Sequence, residues 1–105
     1  MSRAVPEGWL KTGRREYENR TVEVEVKFQP TPEQDGTFEV WVVDEEADES
    51  AAVENVQPTE ADARELAKDV MVSFTAGYEA AVDDGVDGDA AIRRGIERAL
   101  DENRA

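Results

Sequence analysis

Histidine and cysteine are both absent from this 105-residue chain. Without cysteine there is no disulfide framework, no thiolate nucleophile and no cysteine-ligated metal. Without histidine the commonest general base and the commonest transition-metal ligand are gone as well. Lysine is scarce, with Lys11, Lys27 and Lys68 set against nine arginines. Long apolar runs are missing too. None approaches the roughly eighteen residues that a membrane-spanning helix needs, and the N-terminus carries no apolar signal core. The expected location is therefore cytoplasmic, and the length suits one domain with a small core.

Catalytic signatures are equally thin. The serines are Ser2, Ser50 and Ser73, none beside a recognisable base. There is no phosphate-cradling glycine loop, and Gly85 and Gly88 fit no dinucleotide fingerprint. Paired carboxylates do acid–base work when burial splits their pKa values, but twenty-six acidic residues make chance pairs inevitable. A non-enzyme without cofactor is the expectation.

What the chain does have is negative charge. Its twelve bases leave a formal net charge of −14, against a usual magnitude of roughly 2–8 for a small domain. At a mean separation of about 20 Å in water, each like pair costs on the order of 0.2 kcal/mol, or roughly 20 kcal/mol over all pairs before screening. That exceeds the usual net stability of about 5–15 kcal/mol. The unfolded chain carries part of the same repulsion, so only the difference opposes folding. Screening reduces it further, because the Debye length falls from about 10 Å at 0.1 M salt to about 3 Å at 1 M. In composition alone the chain resembles the cytosolic proteins of salt-accumulating halophiles: acid-rich, lysine-poor and arginine-retaining.

Charge is also uneven. Residues 1–31 hold six bases and five acids, so the remainder carries −15. Within the N-terminal part, the pattern over Thr21–Phe28 predicts a strand, with Val22, Val24, Val26 and Phe28 alternating with Glu23, Glu25 and Lys27. Pro30, Pro32 and Asp35–Gly36 predict a loop, and Thr37–Val43 a second strand. The two form an antiparallel hairpin over residues 21–43. Ala51–Val56 and Arg14–Glu18 carry weaker strand signals, and Asp44–Ser50 reads as a solvated loop.

Helical spacing follows Pro58. Thr59 is the candidate N-cap, with Glu60 and Asp62 suiting the positive end of the dipole. Ala63, Leu66, Ala67, Val70, Met71, Phe74, Tyr78, Ala81 and Val82 then recur at steps of three and four. Gly77 falls on the inner side, where a missing side chain permits close approach. Asp83–Asp89 breaks this helix, and a second runs from about Asp89 to Asn103 with Ile92, Ile96, Ala99 and Leu100 on one side. On that second helix Arg93 and Arg94 are spaced to pair with Glu97. Strands first and helices after predict an α+β domain: a small antiparallel sheet of two or three strands with two C-terminal helices on one face. Such a topology licenses no function by itself.

Three surfaces are worth weighing. The second strand has Phe38, Val40 and Val42 on one face, yet Trp41 and Val43 add apolar area to the other. Val5, Trp9 and Leu10, or a second copy of the chain, are the candidates to cover it. A contact surface of Trp9, Trp41 and Val43, with Arg14, Arg15 and Arg20 as its charged complement, points to a homodimer or accessory subunit acting by binding.

Lys11–Arg20 is the second surface. It concentrates positive charge near Trp9 and Tyr17, as a nucleic-acid regulator would, although the acidic remainder repels phosphate and the arginines have many acids of their own to pair with. The third is the acidic turn 83–89, whose carboxylates offer hard-cation ligands but lack the spacing of the helix–loop–helix calcium pattern. The nine carboxylates between Glu33 and Glu54 suit a hydrated face, or a basic partner.

Overall fold

The computed structural model of the protein describes residues 3–105, as an antiparallel sheet followed by two helices. The sheet has five strands rather than two or three, in the order β1 (Trp9–Gly13), β2 (Glu16–Asn19), β3 (Val24–Pro30), β4 (Phe38–Asp44) and β5 (Glu49–Ala52). Each pairs antiparallel with its sequence neighbour, so the topology is a simple meander.

The central hairpin arises as its alternation dictates. Val24, Val26 and Phe28 of β3, with Val40 and Val42 of β4, point to one face and are all but inaccessible to solvent. The flanking strands escaped the pattern because they are short and contribute little to the core. Tyr17 is the one buried side chain of β2, and Trp9 that of β1. Asp44–Ser50 is not wholly a loop. Asp44 ends β4 and is buried, its carboxylate accepting from the Ala47 N–H at 3.2 Å, and β5 begins at Glu49.

Helix α1 (Glu60–Asp83) starts as expected, with Thr59 accepting from the Asp62 N–H at 3.0 Å. Its buried stripe includes Ala63, Leu66, Ala67, Val70, Met71 and Phe74, whereas Val82 lies outside it, 45% exposed. Gly85 ends the helix at φ 83°, a left-handed turn in which its N–H meets the Val82 carbonyl and the Val86 N–H meets that of Ala81. Asp87 then caps α2 (Gly88–Asn103). The 83–89 segment is thus a helix–helix turn, and its residues are the ones such a turn requires.

Helix α2 packs chiefly on α1 rather than on the sheet. The approach is close where Gly77 faces Gly95. A Cβ at Gly77 would lie 3.1 Å from the Gly95 Cα, and one at Gly95 would lie 2.9 Å from the Phe74 ring and carbonyl oxygen. The ion pairs on α2 are Arg98–Glu102 at 3.1 Å and Arg104–Asp101 at 3.8 Å, in place of Arg93 or Arg94 with Glu97.

The start of the chain is tied to α1. The Arg3 guanidinium donates to Asp69 at 2.7 Å and to the Glu65 carbonyl at 2.9 Å. Lys68, only 3% exposed, donates to the Arg3 carbonyl and to Glu65. No helix among the described residues is long and apolar enough to cross a membrane.

The contact at Gly95 yields a test of the packing. Gly95→Ala gains up to about 1 kcal/mol of helix propensity. It also forces the Phe74 ring and backbone aside, at about 1–3 kcal/mol. Guanidinium unfolding is expected to show a net loss of up to about 2 kcal/mol. A stabilised variant would contradict the close approach.

Candidate interaction surface

Because side chains alternate along a strand, the registers fix which residues share the face away from the helices. One cross-strand row there runs Glu16, Lys27, Trp41 and Ala52. The next runs Leu10, Glu18, Glu25, Val43 and Ser50. Gln29 and Glu39 form a third, joined by a 3.1 Å hydrogen bond. Both helices lie on the opposite face, so no helix or strand among the described residues forms a layer over this outer face.

Trp41 and Val43 therefore lie where the two-faced pattern of their strand puts them, half-buried among neighbouring strands. The Trp41 indole N–H is shielded from solvent and has no acceptor within the described residues. An unmade hydrogen bond of this kind costs about 1–3 kcal/mol. Leu10 is also on this face, 56% exposed.

Trp9 does not join them. It is 5% exposed on the helix side, edge-on to Phe74 at 5.8 Å, and its indole donates to the Thr75 hydroxyl at 2.9 Å. One-residue alternation explains the difference: Trp9 pairs with Asn19 and shares its face with Tyr17, whereas Leu10 pairs with Glu18. Val5 packs on the core as well, so neither it nor Trp9 covers the outer face.

The arginines gather elsewhere. Arg14 and Arg15 meet the Glu60 carboxylate at 3.3 and 2.7 Å at the start of α1, and Arg64 joins them at 3.5 Å. Arg15 also lies over the Phe38 ring, 5.5 Å from its centre. The Arg15 hydrogen bond, helped by the charges of both arginines, holds the Glu60 carboxyl below the ordinary carboxylate range although burial opposes it. Arg20 is exposed and makes no ion pair among the described residues.

A feature that sequence spacing did not reveal is the meeting of Glu18, Glu25 and Glu45, whose carboxylate oxygens lie within 4.8 Å of one another. Glu18 and Glu25 are direct cross-strand partners, a placement that repels like charges. It is the one such group of three among the described residues, and the 83–89 carboxylates do not converge in this way. Three oxygens supply part of the six to eight that calcium takes, the rest falling to water.

Partial burial, then Glu16, raises the Glu25 pKa, with Lys27 pulling the other way and Glu45 and Glu18 adding to the rise. No known protein family, characterised protein or solved structure matches this chain.

Folded Glu25 keeps its proton to higher pH than the unfolded chain does, so ionising it costs the folded state. That cost is absent below the unfolded pKa and complete above the folded one. Glu25→Gln is expected to raise the melting temperature at pH 7, with the gain fading toward about pH 4 as the wild-type carboxyl protonates. A gain indifferent to pH, or a loss at pH 7, would contradict the crowding of carboxylates here.

Proposed function

We propose that this is a non-catalytic binding domain of a salt-adapted cytoplasm, which self-associates through the outer face of its sheet, centred on Trp41. The observation that carries the reading is the one-sided cover: both helices pack on the same face, and no helix among the described residues covers Trp41, Val43 and Ala52 on the other. A tryptophan with apolar neighbours such as Val43 and Ala52 is a common composition of a binding hot spot. A two-fold axis near Trp41 and Ala52 would bring this patch against itself, with Glu25, the cross-strand partner of Val43, at its border. Such an arrangement tolerates the acids best when salt screens them. The unpaired Trp41 indole has no internal hydrogen bond to lose on association.

Arg14 and Arg15 are occupied by Glu60, so they contribute less to this surface than their spacing along the chain implied. Their engagement also weighs against a role in holding phosphates, and the net charge of −14 opposes nucleic acid at long range.

Sedimentation in molar potassium chloride tests the reading. The wild type is expected to be dimeric. Trp41→Ala is expected to weaken the dimer by about thirtyfold, as loss of a hot-spot residue worth about 2 kcal/mol does. Its thermal melt should stay close to wild type when both are compared as monomers. A wild-type chain that stays monomeric, or a dimer indifferent to Trp41→Ala, would overturn it.

A further inference from the structure

A second surface lies along the opposite edge of the sheet, between β5 and α2. Two adjoining clefts, of about 400 and 120 Å³, share Asp44, Glu49 and Arg93 in their walls. Val42, Ala51 and Ile96 give the smaller one an apolar lining. Asp44, Glu46 and Glu49 from the β4–β5 hairpin, with Asp89 and Glu97 from α2, rim the pair, and Arg93 is the one base among the lining residues. The clefts exist because α2 leans on α1 and leaves the inner side of β5 lightly covered.

Strand β5 is one of the two edges of the meander, β1 being the other. The Val53 N–H donates to the Val40 carbonyl at 2.8 Å, which fixes the phase of the ladder. In an antiparallel pair, bonded and unbonded partners alternate. Val42–Ala51 and Asp44–Glu49 are then the bonded pairs, and Ser50 and Ala52 direct their N–H and C=O groups away from the sheet. Immediately beyond, the chain's own last residue occupies this position, with the Ala105 N–H donating to the Glu54 carbonyl at 2.9 Å. The edge at Ser50–Ala52 has no such occupant among the described residues.

We infer that this edge binds an extended, basic segment of a partner protein, added as a sixth strand beside β5 with aliphatic side chains turned toward Ile96 and Ala51. Main-chain hydrogen bonds to Ser50 and Ala52 supply the strand addition, and alternate side chains read the apolar and acidic walls. Charge selects this occupant over a second copy of the chain. Five carboxylates against one arginine complement lysine and arginine side chains, whereas another β5 would bring its own Glu46 and Glu49 against these. The inference stands independently of the outer face.

The test uses an end-blocked peptide of alternating lysine and valine as probe, with an alternating glutamate–valine peptide of the same length as control. Backbone amide spectra of the full chain are recorded at a salt concentration where circular dichroism shows it folded. The expected result is binding of the basic probe alone, with shifts confined to β5, the 45–48 turn and the first half of α2, and slowed hydrogen exchange at Ser50 and Ala52.

Ser50→Pro removes an outward N–H while sparing the bonds to β4, a place where an edge strand tolerates proline. The double change Glu49→Lys, Glu97→Lys reverses charge on both walls. Each is expected to weaken the probe at least about tenfold. Shifts spread evenly over the acidic surface, equal binding of both peptides, or wild-type affinity in both variants would each overturn the assignment.

Discussion

The constraint on which everything else rests is that one thin apolar layer must hold together a body carrying −14. The radius of gyration is 13.1 Å, about that of an ordinary chain of this length, so the charge is not accommodated by expansion. Like charges are therefore held at a mean separation of about 20 Å, which the Debye length of about 10 Å at 0.1 M salt screens in part and that of about 3 Å at 1 M screens almost fully. The opposing attraction comes from a single interface, between α1 and the inner face of the sheet, with α2 laid against α1.

Several features follow from the need to make that layer dense. Glycine at positions 77 and 95 lets the two helices meet nearly backbone to backbone, with the Phe74 ring against Gly95. Phe74 is also sandwiched between Trp9 and Tyr78, so one helix residue joins the first strand to the middle of α1. The few cations are placed where they neutralise acids near structural junctions. Arg3 and Lys68 bind the start of the chain to Glu65 and Asp69, and Arg15 ties the β1–β2 turn to Glu60. The cost is that two surfaces are left unfinished: the outer face around Trp41 and the edge beside β5. One carries the half-buried Trp41 and Val43 beside the charged Lys27 and Glu25, and the other has acidic walls.

Much of the fold was legible in the residues. The alternation from Val22 to Phe28 and the spacing from Ala63 to Phe74 each reflect a face packed against the core, and such faces leave strong periodic signals. Strands β1, β2 and β5 left little trace because they are short and bury at most one side chain each. Trp9 was misplaced for a related reason. In a strand that short no alternation shows which way the indole points, and only pairing with Asn19 turns it toward Phe74. The Glu18–Glu25–Glu45 group was invisible along the chain because strand register and a following turn, not spacing, bring those residues together. The side of the sheet on which Trp41 lies was legible, since alternation along β4 sets it opposite the buried Val40 and Val42.

The most direct measurement of the central claim is the thermal melt at neutral pH as potassium chloride is raised from about 0.1 to 2 M, where screening shortens the Debye length several-fold. Potassium chloride is the fitting salt because strongly excluded salts such as sulfate stabilise most proteins by another route. The account predicts a melting temperature that climbs steeply through the first molar and then levels off. A melt that stays flat or falls over that range would mean that electrostatic self-repulsion does not limit the stability of this fold.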